Sequence, residues 1–407
     1  MRPDPALPDS ALLDAVQEAG FRYFWNHGHP VSHLARDRST RDVVTSGGSG
    51  MGLMVLIAAA ERGFASHRAI RGRILHMLRF LDTCERHHGL WGHFLDGATG
   101  RIVPFSANDD GADLVETAFL AAGLLCVREY YRTDPPLRDL ADRLWREIDW
   151  TAHLRPGDDA LVWHWSPRAG FAMNHRITGW NECLIAYILA CASPTHPVPE
   201  RCYHLGWTRS PVFRNGETYY GYELPLGPRL GGPLFFSHYS FLGLDPRGLS
   251  DRYANYWKQN LHHTLINRAH CIANPGGFPG YGPHCWGLTA SDTEGGYTAH
   301  APDNDRGVIT PTAALSAMPY VPDLSMAALR HFLEHYPQVW GDWGFRDAFS
   351  PGSGWVAEAT LAIDQGPIVI MIENHRSGLL WSLMSSAPEI RGALKRLDFV
   401  AGGTAMV

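Results

Sequence analysis

Paired cysteine motifs are absent from this sequence. The 407 residues include seven cysteines, an odd number, and no CxxC occurs. A disulfide-framed secreted domain and a cysteine-ligated zinc module are therefore both disfavoured. Cys126, Cys183 and Cys191 fall inside apolar stretches, where a free thiol packs as a small hydrophobe. The pattern indicates reduced cysteines in a large apolar core, since 45% of the residues are hydrophobic.

Runs of like charge and long apolar runs are also missing. The net charge is −6 and the pI is near 6.4, with no Lys/Arg run, which argues against nucleic acid and anionic membranes as partners. The longest apolar run, Met51 to Ala60, is too short to cross a bilayer. Two acids precede residue 10 and no apolar leader follows. We expect a cytoplasmic monomer, or a periplasmic protein if a leader has been removed.

Several catalytic and metal-binding motifs are absent. The GSGMG at 48–52 lacks the lysine and hydroxyl residue of a phosphate-binding loop. No HExxH, calcium-loop or GxSxG pattern occurs. The sequence therefore predicts no metal and no cofactor.

Aromatic residues and histidine are abundant, with 14 Trp, 15 Tyr, 17 Phe and 22 His. Much of the tryptophan lies in Gly- and Pro-containing stretches. This distribution is typical of a groove that stacks on sugar rings, although filling of an ordinary core also explains many aromatic residues.

Apolar periodicity predicts about a dozen helices joined by short or long polar connections. Helices are expected at 51–61 and at 178–191, and another is expected to break at Gly366-Pro367. Hairpins are predicted at 91–105 and 161–173, and 273–310 is predicted as a loop. We expect one all-α domain over 1–407, a double ring of helices with short hairpins and long loops on one face.

The stretch from Asn108 to Leu125 carries three acids ahead of an apolar half. Asp109, Asp113 and Glu116 are spaced by four and three residues, so a helix through them would place all three on one face. The alternative is that these acids only interact favourably with the positive end of the helix dipole, and that Asp110 or Gly111 is the N-cap.

A fourth acid, Glu182, begins the apolar stretch WNECLIAYILA. Partial desolvation there would raise its pKa and suit it to be a general acid. The alternative is again stabilisation of a helix dipole by a first-turn glutamate.

Two later stretches also contain acids. Residues 284–310 carry Asp292 and Tyr297 among further acids, an arrangement compatible with hard metal ligands but without a metal-binding spacing. In 363–376, Asp364 and Glu373 are either substrate hydrogen-bonding groups or buried acids paired with Arg376.

Together these stretches resemble one family. DGADLVETAFLAAGLL, WNECLIAYILACASPTHP, FFSHYSFLGLDPRG, WGLTASD and IDQGPIVIMIEN occur in the order found in the bacterial glycoamylase-like proteins, whose characterised members are endo-β-1,2-glucanases. The resemblance extends from about Phe21 to Trp381. It implies an (α/α)6 toroid and metal-free, inverting hydrolysis of β-1,2-glucan to sophoro-oligosaccharides.

The resemblance places the functional acids in the DLVETAFL and WNE motifs. Glu182 is the expected general acid, and Asp113 or Glu116 is expected to hold the water or ring hydroxyls. The expected substrate-binding residues are Asp109, Trp180, Trp286, Asp292, Tyr297, Asp364 and Glu373.

Other functions remain possible at this stage. The same scaffold suits exo-release of sophorose, transglycosylation or another linkage. A non-catalytic glycan-binding protein would bind sugar without cleaving it, and a sugar isomerase or epimerase would depend on histidine rather than on paired acids.

Overall fold

The computed structural model describes residues 2–400 of the chain. Within that range twelve α-helices account for most of the regular structure. Their bounds are α1 Asp9–Asn26, α2 Ser46–Arg62, α3 His67–Thr83, α4 Leu114–Tyr130, α5 Pro135–Arg146, α6 Leu184–Ala192, α7 Tyr256–Ala273, α8 Pro311–Leu315, α9 Pro322–His335, α10 Ala362–Arg376, α11 Leu379–Ser386 and α12 Pro388–Arg396.

The helices form an inner and an outer group. Helices α2, α4, α6 and α10 are buried on nearly all sides, as their apolar composition requires. Helices α3, α5 and α12 bury one apolar stripe and turn a charged face to solvent. Contacts run from α6 through α4 and α2 to α10, with α1 and α5 packed outside them. The predicted all-α double ring is therefore present.

Helix α2 begins five residues earlier than the sequence indicated. Thr45 caps it by accepting a hydrogen bond from the Gly48 N–H. Its glycines permit a very close contact with α4, because a Cβ on Gly50 would lie 2.3 Å from the Phe119 carbonyl oxygen. Gly123 meets the Gly50 backbone from the other side. The Gly- and Ser-rich residues 46–50 thus form the first turns of α2, packed against α4, rather than a loop.

The strands are short and form hairpins between helices. Strands β1, β2 and β3 make a three-stranded sheet that includes the predicted 91–105 hairpin. The predicted 161–173 hairpin is present as an antiparallel bridge between Ser166 and Gly170, and its strand β5 also pairs with β4 just before α4. The bounds are β1 Val44–Thr45, β2 Phe94–Leu95, β3 Ile102–Val103, β4 Ala112–Asp113, β5 His164–Trp165, β6 Thr218–Tyr219, β7 Tyr222–Glu223, β8 Ala290–Thr293, β9 Gly296–Ala299, β10 Trp340–Gly341 and β11 Gly344–Phe345.

Two further segments differ from expectation. The predicted 273–310 loop contains the β8–β9 hairpin, whose strands pair from Ala290↔Ala299 to Thr293↔Gly296. Helix α10 runs without a break through Gly366 and Pro367. Gly366 lets α10 approach α2, because a Cβ there would lie 2.8 Å from the Met51 Cβ. No helix between residues 2 and 400 is long and apolar enough to cross a membrane.

Candidate active site

Asp113 is the N-cap of α4, so the acidic stretch is not one helix. Its Oδ1 accepts hydrogen bonds from the Val115 N–H at 3.0 Å and the Glu116 N–H at 2.9 Å. Asp109 lies before the helix, in a turn closed by hydrogen bonds with Ser106. The predicted helical face through all three acids is therefore wrong, and so is the assignment of the cap to Asp110 or Gly111.

Asp109 and Asp113 nevertheless lie on either side of one histidine, His164, and a second, His93, contacts Asp113. The β4–β5 pairing sets His164 opposite Asp113. His164 Nδ1 lies 3.5 Å from Asp109 Oδ2 and 3.8 Å from Asp113 Oδ2. From the other side, His93 Nδ1 lies 3.3 Å from Asp113 Oδ2. The acids are thus held by a strand pairing and by side-chain contacts.

The charges in this group are mutually dependent. Burial would lower the pKa of His93, but the neighbouring carboxylates of Glu116 and Asp113 raise it to about 9. Burial would raise the pKa of Asp113, yet the hydrogen bond and charge of His93 hold it below its usual value. At neutral pH this pair is an imidazolium beside a carboxylate.

Glu116 is fixed by the start of α2. Its Oε2 accepts hydrogen bonds from the Thr45 hydroxyl at 2.7 Å and the Gly47 N–H at 2.8 Å. A Cβ on Gly47 would lie only 2.5 Å from that oxygen, so a larger residue at this position would displace the carboxylate. Burial raises the pKa of Glu116 despite these donors.

Glu182 lies in a turn that precedes α6, near enough to this acidic group for the charges of Asp113 and Glu116 to affect its pKa. The Ser240 hydroxyl donates to its backbone carbonyl and accepts from the Ile185 N–H, which fixes the turn. Burial raises the pKa of Glu182 to about 7, and the charges of Asp113 and Glu116 add to the effect. Glu182 is therefore protonated over much of the acidic and neutral range, as a general acid must be.

Exposure separates the four acids. Asp113 has no accessible surface, Asp109 is 5% exposed, and Glu116 and Glu182 are each 9% exposed. All four acids are thus buried, Asp113 most deeply, and Glu116 and Glu182 keep slightly more accessible surface.

A second acidic group centres on Asp347 and Asp364. Asp347 Oδ2 accepts the Asp292 N–H at 2.7 Å, and both Asp292 oxygens lie 3.1 Å from Arg38 Nη1. Asp347 Oδ1 and Asp364 Oδ2 are buried without any other donor among the described residues. Burial raises the pKa of Asp347 to about 7 and that of Asp364 well above its usual range. A proton shared between the two carboxyl groups satisfies both oxygens.

Tyr297 stands beside this group on the β8–β9 hairpin, where it pairs with Asp292. Its side chain is 49% exposed. Desolvation, with the charges of Asp347 and Asp364, raises the pKa of its hydroxyl well above the usual value.

Phe105 lies at the edge of the first acidic group. It is 58% exposed, and its ring is stacked 5.4 Å from Phe94 and lies 4.9 Å from His93. Its N–H donates to the Asp109 carbonyl at 2.9 Å. The exposed ring of Phe105 thus contacts His93, which in turn contacts Asp113.

Comparison with known proteins identifies the family. Residues 174–388 match the family model described as "Putative glucoamylase". The solved structure of a putative glucoamylase from Bacteroides uniformis is 51% identical in sequence and has a TM-score of 0.96. The match covers 97% of this chain and 98% of that one. The chain belongs to this glycoamylase-like family. Its predicted membership and toroidal fold are confirmed.

Two relatives in the glycoamylase-like family have more specific names. The endo-β-1,2-glucanase from Chitinophaga pinensis, solved with sophorotriose and glucose, is 48% identical, with 97% and 99% coverage and a TM-score of 0.95. The exo β-1,2-glucooligosaccharide sophorohydrolase of Parabacteroides distasonis is 40% identical over 97% of this chain. This chain spans 58% of the length of that relative.

Three of the predicted substrate-binding residues of this glycoamylase-like protein are corrected by the structure. Trp180 is 3% exposed and packs in an aromatic core cluster, and Trp286 has no accessible surface. Glu373 pairs with Arg62 at 2.7 and 2.8 Å rather than with Arg376. All three are buried among structural contacts, and substrate binding by Asp109, Asp292, Tyr297 and Asp364 stays a prediction.

One set of side chains has the geometry of a metal site. Ligand atoms of Asp109, Asp113 and His164, here named the three-ligand group, lie within 4.8 Å of one another. The imidazolium of His93 beside Asp113 already supplies a positive charge there. The absence of a metal stays a prediction.

Proposed function

We propose that this chain hydrolyses β-1,2-glucan with inversion, and that Glu182 is the general acid. The observation that carries the proposal is the raised pKa of Glu182 beside the anionic Asp113. Environments that push the pKa values of neighbouring carboxyl groups apart are typical of acid–base assignments in hydrolases. The names of the relatives supply the linkage.

The reaction needs one proton donor and one activated water. The Glu182 carboxyl donates its proton to the glycosidic oxygen as the C1–O bond breaks. A water attacks C1 from the opposite face, and its proton passes to a carboxylate. Asp113 and Glu116 are the two candidates for this carboxylate: the pKa of Asp113 is held low by His93, whereas Glu116 has slightly more accessible surface.

Several features support carbohydrate as the substrate. Phe105 has an exposed ring that suits stacking on the apolar face of a glucosyl unit, and the Tyr297 ring is half-exposed. Charged and polar groups fixed by hydrogen bonds suit recognition of sugar hydroxyls. Endo action is proposed because a relative matched along nearly its whole length is named an endo-β-1,2-glucanase. Exo-release of sophorose is the second candidate, from the name of the longer relative.

A reducing-sugar assay with product sizing tests the proposal. The chain is incubated with linear β-1,2-glucan, laminarin, starch and cellulose. Endo action gives a ladder of sophoro-oligosaccharides from β-1,2-glucan alone, whereas exo action gives sophorose from the start. Binding of the glucan without cleavage would overturn the enzymatic proposal in favour of a glycan-binding protein.

A further inference from the structure

The proline inside α10 leaves one backbone carbonyl without its helical partner. An α-helical N–H at position 367 would donate to the Ile363 carbonyl, but proline has no N–H. That carbonyl instead accepts the hydroxyl of Tyr239 at 3.1 Å. Pro367 therefore creates the acceptor that fixes Tyr239.

Tyr239 stands where three acid-bearing segments meet. Its neighbour Ser240 holds the backbone of Glu182. Ile363, which holds its hydroxyl, immediately precedes Asp364. Its ring makes an edge contact at 5.6 Å with Phe119, which lies one turn after Glu116. Each contact is to a different segment, so this position is joined to both acidic groups.

The hydroxyl of Tyr239 has unused capacity as an acceptor. Its proton points to the Ile363 carbonyl, and the oxygen keeps lone pairs for a further donor. The ring is held at 5.0 Å from Phe235, and the residue is only partly buried. Burial raises the pKa of this hydroxyl, with further increases from Tyr297, Asp364, Glu182 and Glu116, so it remains neutral.

We propose that Tyr239 is a further substrate-contacting residue, whose hydroxyl oxygen accepts a hydrogen bond from a sugar hydroxyl held between Glu182 and Asp364. Pro367 is its positioning residue, because it reserves the Ile363 carbonyl for the tyrosine. The inference rests on the proposed hydrolysis of β-1,2-glucan and adds a residue that the sequence motifs did not single out.

A double-mutant cycle tests both parts on the full chain. Tyr239→Phe removes the hydroxyl and keeps the ring. Pro367→Ala restores an N–H that competes for the Ile363 carbonyl. We expect kcat on β-1,2-glucan to fall about tenfold in the first variant and about threefold in the second. The double variant should match Tyr239→Phe alone, because Pro367 acts only through the tyrosine.

Stability provides the second readout. Pro367→Ala removes a helix-interior proline, so its thermal unfolding midpoint should not fall even as kcat does. Tyr187→Phe is the matched control. The Tyr187 hydroxyl also donates to a backbone carbonyl, that of Ile177, at a distance of 2.8 Å. That variant should lose stability and keep wild-type kcat.

Each outcome decides one claim. A Tyr239→Phe enzyme with kcat within about twofold of wild type overturns the role of Tyr239 while leaving the proposed hydrolysis intact. Multiplicative losses in the double variant overturn the positioning role of Pro367. A wild-type chain that cleaves no β-1,2-glucan overturns the proposed function, and the substrate contact with it.

Discussion

Replacement of Glu182 by glutamine tests the proposed acid through stability as well as activity. Burial raises the pKa of Glu182 from 4.5 to about 7, so the folded protein holds a proton that the unfolded chain releases. The resulting stabilisation is fully present below pH 4.5 and is lost as the pH rises through about 7. A pKa difference of this size corresponds to about 3 kcal/mol.

The glutamine variant removes this pH dependence because its side chain is neutral throughout. We expect the free energies of unfolding of the variant and wild type to be similar at about pH 4.5, and the variant to be more stable by up to about 3 kcal/mol at about pH 8.5. Hydrolysis of β-1,2-glucan should fall by about a hundredfold or more. Wild-type activity should itself decline above about pH 7, as Glu182 loses its proton. Urea denaturation at the two pH values measures the stabilities.

Glu373→Gln is the matched control, since its effect on stability has the opposite sign. Burial would raise the pKa of Glu373, but hydrogen bonds from Arg62, Ser377 and Gln17 hold it below the usual value. Its ionised form stabilises the fold at high pH and loses that effect as pH falls. Glu373→Gln should therefore be less stable than wild type at about pH 8.5. A Glu182→Gln variant that is also less stable there, or that keeps its activity, would refute the assignment.

Three other predictions concern the remainder of the site. Gly47→Ala should cut activity by about tenfold or more, because the added Cβ displaces the Glu116 carboxylate. Gly72→Ala is the control and should keep full activity, since a Cβ there meets nothing within 4 Å. Measurements of kcat and of the thermal unfolding midpoint compare the two variants. Phe105→Ala should raise KM about tenfold with little change in kcat, whereas Phe105→Trp should have a KM close to that of the wild type. An unchanged KM in Phe105→Ala would exclude stacking of a sugar on this ring. Dialysis against EDTA should leave activity unchanged, and a loss reversed by a divalent ion would assign a metal to the three-ligand group.

The sequence located the acids because their signal is local. A glutamate beside an apolar run is desolvated wherever that run is buried, and Glu182 has the raised pKa that this reasoning predicts. Asp113 and Glu116 likewise lie at the buried start of an apolar helix. The family resemblance then supplied the toroid, which periodicity alone suggests only as a set of alternating helices.

The remainder of the site depends on contacts between distant segments. Asp109 reaches Asp113 through a turn and a histidine on another strand, and no spacing rule encodes that pairing. Asp347 lies in a Trp- and Gly-rich stretch with nothing to mark it as a partner of Asp364. Tyr239 is one of 15 tyrosines, and only the free carbonyl in α10 singles it out.

The contact between Gly50 and Gly123 has a consequence for how this architecture can diversify. Backbone-to-backbone packing of α2 against α4 fixes the Thr45–Gly47 donors relative to Glu116, so the position of this carboxylate is set by the scaffold itself. Tyr297 and Phe105, by contrast, stand on a hairpin and a surface turn that can be altered without repacking a helix. We therefore expect chain-length preference to drift among homologues while the proton-transfer groups stay in place.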